Sequence, residues 1–288
     1  MTTSTLSARK PQEDEIDVHG LTHPGKVRRD NQDHFIIGSL RKQLAVRLSS
    51  IPQAERLMSE GERLASLAMV ADGVGGAAQG ETASRVALQA AAKYVTSAVR
   101  CYYGTPLEDQ EDLRNTLQEG ARQCHAELLR HGQADPRYGG MATTLTLYLG
   151  VWPRGYLLQV GDSRGYLLRN GELTQITRDQ TMAQEMVELG VMNAKEAAGT
   201  RFAHTLTSSI GGSQTDPKVT RFEMAWGHVV LLCSDGLTRH VSDARIGDVL
   251  RSMTSARQAC ETLLQDALDG GGSDNITLVV GRAIAKER

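Results

Sequence analysis

Four short stretches of the sequence place an aspartate beside or close to a glycine, and these residues have the clearest potential for chemistry. They are Asp72-Gly73, Gly161-Asp162, Asp235-Gly236 and the stretch 272–275, which contains Asp274. Each carboxylate lies at the start or the end of an apolar run. Burying several like charges together is unfavourable unless cations compensate for them. If the four stretches converge in the fold, the sequence predicts a site for divalent metal ions.

The type of ligand narrows the choice of metal. Carboxylates, backbone carbonyls and water favour Mg²⁺ or Mn²⁺ over zinc, and no cluster of histidine and cysteine competes with them in the sequence. Asp72 follows the apolar run 67–71 and precedes a loop in which three of the next four residues are glycine. A single turn of this kind is equally typical of a strand-turn-helix corner with a solvated aspartate. The prediction therefore depends on all four stretches together.

The elements that must position these turns are visible as periodic apolar residues. Helical spacing over 83–98 and 107–130 predicts two long helices, and 181–189, 193–198, 242–252 and 255–268 predict shorter ones. Apolar runs or alternation predict strands at 16–23, 35–37, 44–50, 67–71, 145–149, 155–160, 165–169, 173–177, 219–224, 228–232 and 276–280.

The connections between the strands predict how they pair. Asn170-Gly171 is a strong signal for a two-residue hairpin, and 219–224 and 228–232 are also predicted to pair with each other. Many of the strands are joined by short turns and not by helices, which favours antiparallel sheets.

Charge and composition exclude some classes of protein. The 288 residues include 32 Lys+Arg and 34 Asp+Glu, a formal net charge of −2, and only 4% aromatic residues. Neither a basic surface nor stacking platforms for nucleic acid are expected. No apolar run approaches the roughly 20 residues that cross a bilayer. We therefore predict neither a nucleic-acid partner nor a membrane partner.

The ends of the chain and the cysteines predict its organisation and location. Residues 1–15 are polar, lack the apolar core of a signal peptide and are predicted to be a disordered tail. We find neither an internal repeat nor a linker, so residues 16–288 are predicted to form a single domain. Four widely scattered cysteines are typical of a reducing compartment, which predicts a cytoplasmic protein.

Six motifs in order along the chain resemble those of the metal-dependent protein phosphatases of type 2C, in their bacterial branch. The motifs are 28–33 (RRDNQD), 70–76 with Gly80-Glu81, 141–144 (MATT), 161–164 (GDSR), 234–237 (SDGL) and Asp274-Asn275. They cover nearly all of the chain from about residue 17 to 284. The resemblance implies an α+β fold, a four-layer α-β-β-α sandwich in which two stacked antiparallel sheets are flanked by helices, with the metals in a cleft at one end.

The resemblance also implies a ligand set. Asp72 would bridge two tightly bound Mn²⁺ or Mg²⁺ ions, and the carbonyl of Gly73 would bind one of them. Asp235 and Asp274 would complete the protein ligands of the first ion. Asp33 would act largely through metal-bound waters, and Asp162 would share Asp235 in a weaker third site.

The implied reaction is the hydrolysis of phosphoserine and phosphothreonine monoesters in proteins. A hydroxide that bridges the two ions would attack phosphorus, and Arg28 would hold the phosphate through its guanidinium fork. Asp33 and Asp72 would be catalytic together with Arg28. The partners implied are phosphorylated proteins and a cognate serine/threonine kinase, whose action the enzyme would oppose.

Three residues depart from the pattern of the family. Val74 stands where eukaryotic members have a histidine that is a candidate general acid, Gln32 replaces a glutamate and Gln180 replaces a frequent histidine. None of these changes removes a direct metal ligand. Residues 192–212 correspond to the flap beside the active site and are predicted to be mobile and to select protein substrates.

Three other interpretations remain open from the sequence. The first is a catalytically weak member that binds phosphoproteins and regulates them, which the presence of Asp72, Asp235, Asp274 and Arg28 disfavours. The second is a different two-metal hydrolase such as a nuclease, which the absence of a basic surface disfavours. The third is a cysteine phosphatase, but Cys233 lies in an apolar strand, where a free cysteine is usually a core residue.

Overall fold

The computed structural model describes residues 9–41, 44–50, 63–102 and 110–286. The predicted N-terminal tail lies partly outside this range, because residues 1–8 are not described, and the same holds for 107–109 of the second predicted long helix. Glu13–Glu15 form a 3-10 helix, and the carboxylate of Glu15 is buried beside Arg9, which donates to it at 2.6 and 2.9 Å. Ordered structure in the described chain thus begins before residue 16.

The described strands and helices follow the sequence prediction closely. The strands are β1 (Ile16–His23), β2 (His34–Leu40), β3 (Leu44–Ser49), β4 (Ala65–Ala71), β5 (Gly73–Val74), β6 (Ala142–Thr143), β7 (Leu145–Val151), β8 (Arg154–Val160), β9 (Arg164–Arg169), β10 (Glu172–Gln175), β11 (Lys218–Glu223), β12 (Val229–Cys233) and β13 (Ile276–Ala283). The helices are α1 (Ala77–Tyr102), α2 (Gln110–Ala134), α3 (Met182–Glu188), α4 (Ala194–Ala198), α5 (Asp235–Thr238), α6 (Asp243–Ser252) and α7 (Ala256–Asp269).

The strands form two large antiparallel sheets that stack face to face. One sheet has the order β1-β13-β12-β9-β10, the other has the order β11-β8-β7-β4-β2-β3, and β5 pairs with β6 in a small third sheet. One apolar core joins α1 and α2 to the six-stranded sheet, a second joins α6 and α7 to the five-stranded sheet, and a third lies between the two sheets. The predicted four-layer α-β-β-α sandwich is confirmed.

Strand β4 shows why the apolar runs in the sequence are continuous. Its side chains alternate between two cores: Met69 packs towards the helices, whereas Val70 packs towards the other sheet. Because both faces are covered, alternation with polar residues is not needed. The strand therefore holds its last residue, Ala71, rigidly, and the next residue is Asp72.

The hairpin at Asn170-Gly171 is confirmed, because both residues adopt positive φ angles of 51° and 80°, as a two-residue turn requires. The predicted pairing of 219–224 with 228–232 is wrong. β11 pairs with β8 at the edge of the six-stranded sheet, whereas β12 lies between β13 and β9 in the five-stranded sheet. The turn between them carries the chain from one sheet to the other, which local spacing cannot distinguish from a hairpin.

Among the described helices, none combines the length and the apolar character that a transmembrane span requires.

Candidate metal centre and substrate cleft

The loops that follow β1, β4, β8 and β12 and the loop that precedes β13 meet at one end of the sandwich, where they line a cleft of about 500 Å³. The predicted site residues that line the cleft are Arg28, Asp72, Gly73, Asp162, Asp235 and Asp274. Asp33 lies deeper and is only 2% exposed. The structure therefore brings together all the residues that the sequence singles out.

Two threonines fix the backbone of Asp72. The N–H of Asp72 donates to the hydroxyl of Thr144 (3.0 Å), and the Asp72 carbonyl accepts bonds from the Thr144 N–H (2.9 Å) and the Thr143 hydroxyl (2.7 Å). The Thr144 hydroxyl is in turn 2.7 Å from the hydroxyl of Ser163, next to Asp162. The motif 141–144 therefore locks the turn that carries Asp72 to the turn that carries Asp162.

Glycines beside the aspartates allow the turns to approach closely. A β-carbon on Gly73 would lie 2.2 Å from the carbonyl oxygen of Gly80, and one on Gly236 would lie 1.9 Å from the carbonyl oxygen of Asn275. Such contacts are too short for any other residue without a backbone shift. The glycine after Asp235 thus lets the turn of Asp235 pack directly on the turn of Asp274.

Asp33 is buried between the two sheets with only part of its hydrogen-bonding capacity used. Its Oδ2 accepts a bond from the hydroxyl of Ser234 (2.8 Å). Its Oδ1 is buried and has no hydrogen-bond partner within the described residues. Burial raises the pKa of Asp33 to about 7. A buried carboxylate oxygen without a donor is a group that a bound cation or its water would satisfy.

The carboxylates of the cleft repel one another. The pKa of Asp72 is raised well above its ordinary value by burial and then by repulsion from Asp33, Asp235, Asp162 and Asp274. Burial and repulsion from Asp235 and Asp179 raise the pKa of Asp162 to about 8. No ion pair joins Asp33, Asp72 or Asp162 to a basic side chain of the described chain. Among the described residues these three carboxylates therefore have no direct ion-pair partner, and the charge of Arg239 offsets the repulsion on Asp162 only in part.

Asp235 has a different environment, because two basic side chains contact it. Burial alone would raise the pKa of Asp235, but His204 and Arg239 outweigh that effect and hold the pKa below its ordinary value. His204 Nδ1 lies 3.5 Å from Asp235 Oδ2, and Arg239 Nε donates to the same oxygen at 2.9 Å. Ligand atoms of Asp162, His204 and Asp235 all lie within 4.8 Å of one another.

Asp274 is also paired with guanidinium groups. Arg28 contacts both of its oxygens, with Nε 2.9 Å from Oδ1 and Nη2 3.0 Å from Oδ2. Arg239 Nη1 lies 3.2 Å from Oδ2. Arg28, the predicted phosphate-binding residue, therefore contacts Asp274, a predicted metal ligand. About half of the Arg28 side chain (51%) is exposed. Arg29 is exposed and does not line the cleft.

Asn275 holds the loop that carries Arg28. Its Nδ2 donates to the carbonyls of Pro24 (3.0 Å) and Asp30 (2.9 Å), and its Oδ1 accepts from the N–H of Gln32 (2.9 Å). Three bonds from one side chain thus fix the loop at both ends. The asparagine of the Asp274-Asn275 motif is a positioning residue, a role that the sequence alone does not indicate.

The residues that depart from the family pattern have defined places. Gln180 is buried, accepts a bond from the N–H of Gly161 (2.7 Å) and donates to the carbonyl of Asp216 (2.8 Å). It thereby ties the turn of Asp162 to the segment after the flap. Val74 lines the cleft, is 40% exposed and has no ionisable group.

Cys233 is fully buried, and burial raises the pKa of its thiol to about 12, so it is a core residue.

Sequence reasoning missed two residues of the cleft, His204 and Arg239. His204 ends a 3-10 helix (Arg201–His204) within the predicted flap, and Thr205, Leu206 and Ser209 also line the cleft. Arg239 lies four residues after Asp235, a spacing that favours an ion pair on a helix. This spacing could have indicated the contact of Arg239 with Asp235, but it does not predict the contact with Asp274.

The residues present fit divalent metal ions. Asp72 and Asp162 present carboxylate oxygens to the cleft without an ion-pair partner among the described residues. The deeper Asp33 adds an Oδ1 that has no hydrogen-bond partner among them. Oxygen donors of this kind suit Mg²⁺ and Mn²⁺. Among the described residues, His204 is the one histidine or cysteine whose ligand atom lies with those of Asp162 and Asp235.

Comparison with known proteins identifies the family. A family model described as protein phosphatase 2C matches residues 54–270. The chain belongs to the protein phosphatase 2C family. The matched span contains Asp72, Asp162 and Asp235, whereas Arg28, Asp33 and Asp274 lie outside it.

Relatives of this 2C-family chain are bacterial serine/threonine phosphatases. The serine/threonine protein phosphatase PstP of Mycobacterium tuberculosis is 37% identical over 223 residues, which are 76% of this chain and 41% of the relative. The chain therefore spans about two fifths of the length of that relative.

Solved structures extend the similarity over most of the chain. A serine/threonine phosphatase of S. agalactiae is similar with a TM-score of 0.76 and 26% identity, covering 93% of this chain and 99% of that one. The catalytic domain of PstP in complex with two manganese ions is similar with a TM-score of 0.68 and 31% identity, covering 94% of this chain and 99% of that one. The 2C fold of this chain is thus one in which a related structure holds two divalent ions.

Proposed function

We propose that this chain is a metal-dependent protein serine/threonine phosphatase, which hydrolyses phosphoserine and phosphothreonine monoesters. The observation that carries the proposal is the cleft at one end of the sandwich. There, carboxylates from four separate turns converge next to the guanidinium of Arg28, in a chain of the protein phosphatase 2C family. A cluster of carboxylates beside a phosphate-binding group suits phosphate hydrolysis assisted by metal ions.

The carboxylates have distinct roles in this proposal. Asp72, the carbonyl of Gly73, Asp235 and Asp274 would hold two Mn²⁺ or Mg²⁺ ions, and Asp33 would hold water beside them. Asp162 would share Asp235 in a third, weaker site. The ions would supply Lewis acidity and lower the pKa of a water nucleophile towards neutrality.

Arg28 would bind the phosphate of the substrate. Its guanidinium is half-exposed at the cleft, and a planar fork of donors matches two phosphate oxygens. Charge that develops on those oxygens during the reaction would strengthen the contact, which is how such a residue lowers the barrier. Val74 cannot donate a proton, so water or another group would protonate the leaving alkoxide.

The wider context of the activity is also a proposal. The substrates would be phosphorylated proteins, and a cognate serine/threonine kinase would supply them. The flap, residues 192–212, contributes His204, Thr205, Leu206 and Ser209 to the cleft and would select among protein substrates. Residues 16–288 would form one catalytic domain. The buried free thiols of Cys124, Cys233 and Cys260 favour a reducing compartment, so we propose a cytoplasmic location.

The alternative of a catalytically weak member that only binds phosphoproteins would require the loss of a metal ligand or of Arg28. The cleft retains Asp72, Asp235, Asp274 and Arg28. We therefore retain the catalytic function.

The test is hydrolysis of a phosphothreonine peptide and of para-nitrophenyl phosphate by the chain after removal of metals. We expect activity when Mn²⁺ or Mg²⁺ is added and its loss with EDTA. Asp266→Asn, which changes a partly buried carboxylate on α7 outside the cleft, is the control and should hydrolyse both substrates like the unmodified protein. Hydrolysis at full rate without metal, or none with either ion, would overturn the proposal.

A further inference from the structure

Arg239 occupies an unusual position for a basic residue, because it lies inside the acidic cluster. It follows helix α5, and its backbone N–H donates to the carbonyl of Asp235 (2.9 Å), which fixes it one turn after that aspartate. Its side chain is 27% exposed and lines the cleft. The guanidinium is therefore held by the same short helix that presents Asp235.

The guanidinium bridges carboxylates from two different turns. Arg239 Nε is 2.9 Å from Asp235 Oδ2, and Nη2 donates to the same oxygen. Nη1 lies 3.2 Å from Asp274 Oδ2. These two aspartates are the ones that we assign to the first metal ion. The donors of Arg239 therefore use lone pairs that a metal ion would need.

We propose that Arg239 is an internal cation that competes with divalent ions for Asp235 and Asp274 and thereby sets the metal affinity of the cleft. The proposal rests on the proposed function, since it concerns the same metal site. An arginine remains charged at any pH at which the protein is folded. It cannot yield by losing its proton, so its guanidinium must move away from the carboxylates when a metal ion binds.

The competition has two physical parts. First, the ion must replace hydrogen bonds that the guanidinium already makes with Asp235 and Asp274. Second, the positive charge of Arg239 remains nearby and repels the ion, because the helix backbone limits how far the side chain can withdraw. In the metal-free protein the same charge offsets repulsion among the carboxylates, so Arg239 should stabilise the metal-free state while it weakens metal binding.

The test compares Mn²⁺ binding by calorimetry to metal-free protein and to variants of Arg239. A unit charge at contact distance in a partly solvated site supports an effect of about tenfold. We therefore expect Arg239→Ala to bind Mn²⁺ about tenfold more tightly and Arg239→Lys to lie between Arg239→Ala and the unmodified protein. Arg239→Gln, which keeps a polar side chain without the charge, gives the same comparison if the alanine variant does not fold.

Arg245→Ala is the matched control. It also removes one guanidinium from an ion pair, with Asp266 at 2.7 Å, but this pair joins the outer helices α6 and α7. It should leave the Mn²⁺ affinity unchanged. Thermal unfolding gives a second measurement: without metal, Arg239→Ala should melt at a lower temperature than Arg245→Ala, and it should gain more from added Mn²⁺.

The outcomes separate this inference from the proposed function. If the unmodified protein binds Mn²⁺ and Arg239→Ala binds it equally or more weakly, the competition is refuted and the metal site remains. If the unmodified protein binds no Mn²⁺ at all, the proposed function fails, and the competition fails with it.

Discussion

The carboxylates in and beside the cleft form two groups with opposite electrostatic environments, which we call the floor and the rim. On the floor, Asp33, Asp72 and Asp162 have no ion-pair partner among the described side chains, and their pKa values are raised by burial and by repulsion from neighbouring carboxylates, Asp235 among them. At the rim, Asp235 and Asp274 are paired with basic side chains, and the pKa of Asp235 is lowered. Carboxylates that lie in or beside the same cleft therefore have opposite electrostatic environments.

The difference indicates what each part contributes. Floor carboxylates destabilise the metal-free protein, because each is either charged and unpaired or must take up a proton on folding. A bound cation would remove that destabilisation. Rim carboxylates are already satisfied, so a metal ion must displace arginine side chains there. The floor would drive metal binding and the rim would limit it.

The largest expected effect comes from comparing Asp72→Asn on the floor with Asp274→Asn at the rim. Both should abolish metal-dependent activity, because each removes a proposed ligand. Their effects on the metal-free protein should have opposite signs, each about 1 kcal/mol. Asp72→Asn removes an unpaired carboxylate and should raise the free energy of unfolding, whereas Asp274→Asn removes the partner of Arg28 and Arg239 and should lower it.

Chemical denaturation in EDTA measures this comparison, and Asp266→Asn serves as the control for the loss of one carboxylate outside the cleft. Destabilisation by Asp72→Asn as large as that by Asp274→Asn would remove the distinction between floor and rim.

The second comparison concerns Arg28 and its neighbour Arg29. Losing a charge-assisted contact with phosphate typically costs about 1.5–3 kcal/mol, or roughly tenfold to a hundredfold in kcat/KM. We expect that loss in Arg28→Ala and only partial recovery in Arg28→Lys, because a lysine lacks the planar fork. Arg29→Ala should be nearly neutral, since Arg29 is exposed and does not line the cleft.

Steady-state kinetics on one phosphopeptide, with the Mn²⁺ affinity of each variant measured alongside, tests this assignment. A damaging Arg29→Ala together with a silent Arg28→Ala would transfer the role to the neighbouring arginine.

The smallest expected effect is the pH dependence of stability without metal. The pKa values of Asp33 and Asp162 are raised to about 7 and about 8 in the folded protein. The folded state therefore binds more protons than the unfolded state above about pH 4, the ordinary range for aspartate. The contribution of Asp33 and Asp162 to the free energy of unfolding should therefore be most favourable below about pH 4. It should fall as the pH rises from there towards 8.

Melting temperatures in EDTA between pH 5 and 8 measure this trend, and Asp162→Asn should flatten it. A melting temperature that rises steadily over that range, with no change in Asp162→Asn, would contradict the description of the floor.

The sequence predicts the aspartates of the cleft better than the basic side chains that contact them. Asp72, Asp162 and Asp235 each follow or adjoin a strand with a glycine nearby, so their place at one end of the sheets follows from local pattern. The contacts of Arg239 and His204 depend on how separate turns pack, which spacing along the chain does not encode. The pairing of β11 and β12 was wrong for a similar reason, because the turn between them changes sheets.

The sequence also did not predict which residues hold the turns together. The three bonds of Asn275 and the two bonds of Gln180 link segments far apart in the chain. The family resemblance marks Asn275 as part of a motif but does not say what its side chain does. The structure shows that the Asn275 side chain anchors the loop that carries Arg28.

The most direct test of the central claim is to locate Mn²⁺ in crystals of this chain by anomalous scattering. We predict two strong peaks between Asp72, Asp235 and Asp274, and a weaker third peak beside Asp162 at higher Mn²⁺ concentration. The side chain of Arg239 should no longer contact Asp235 and Asp274 in that structure. Strong peaks elsewhere, or an empty cleft in which Arg239 still bridges the two aspartates at saturating Mn²⁺, would contradict the account.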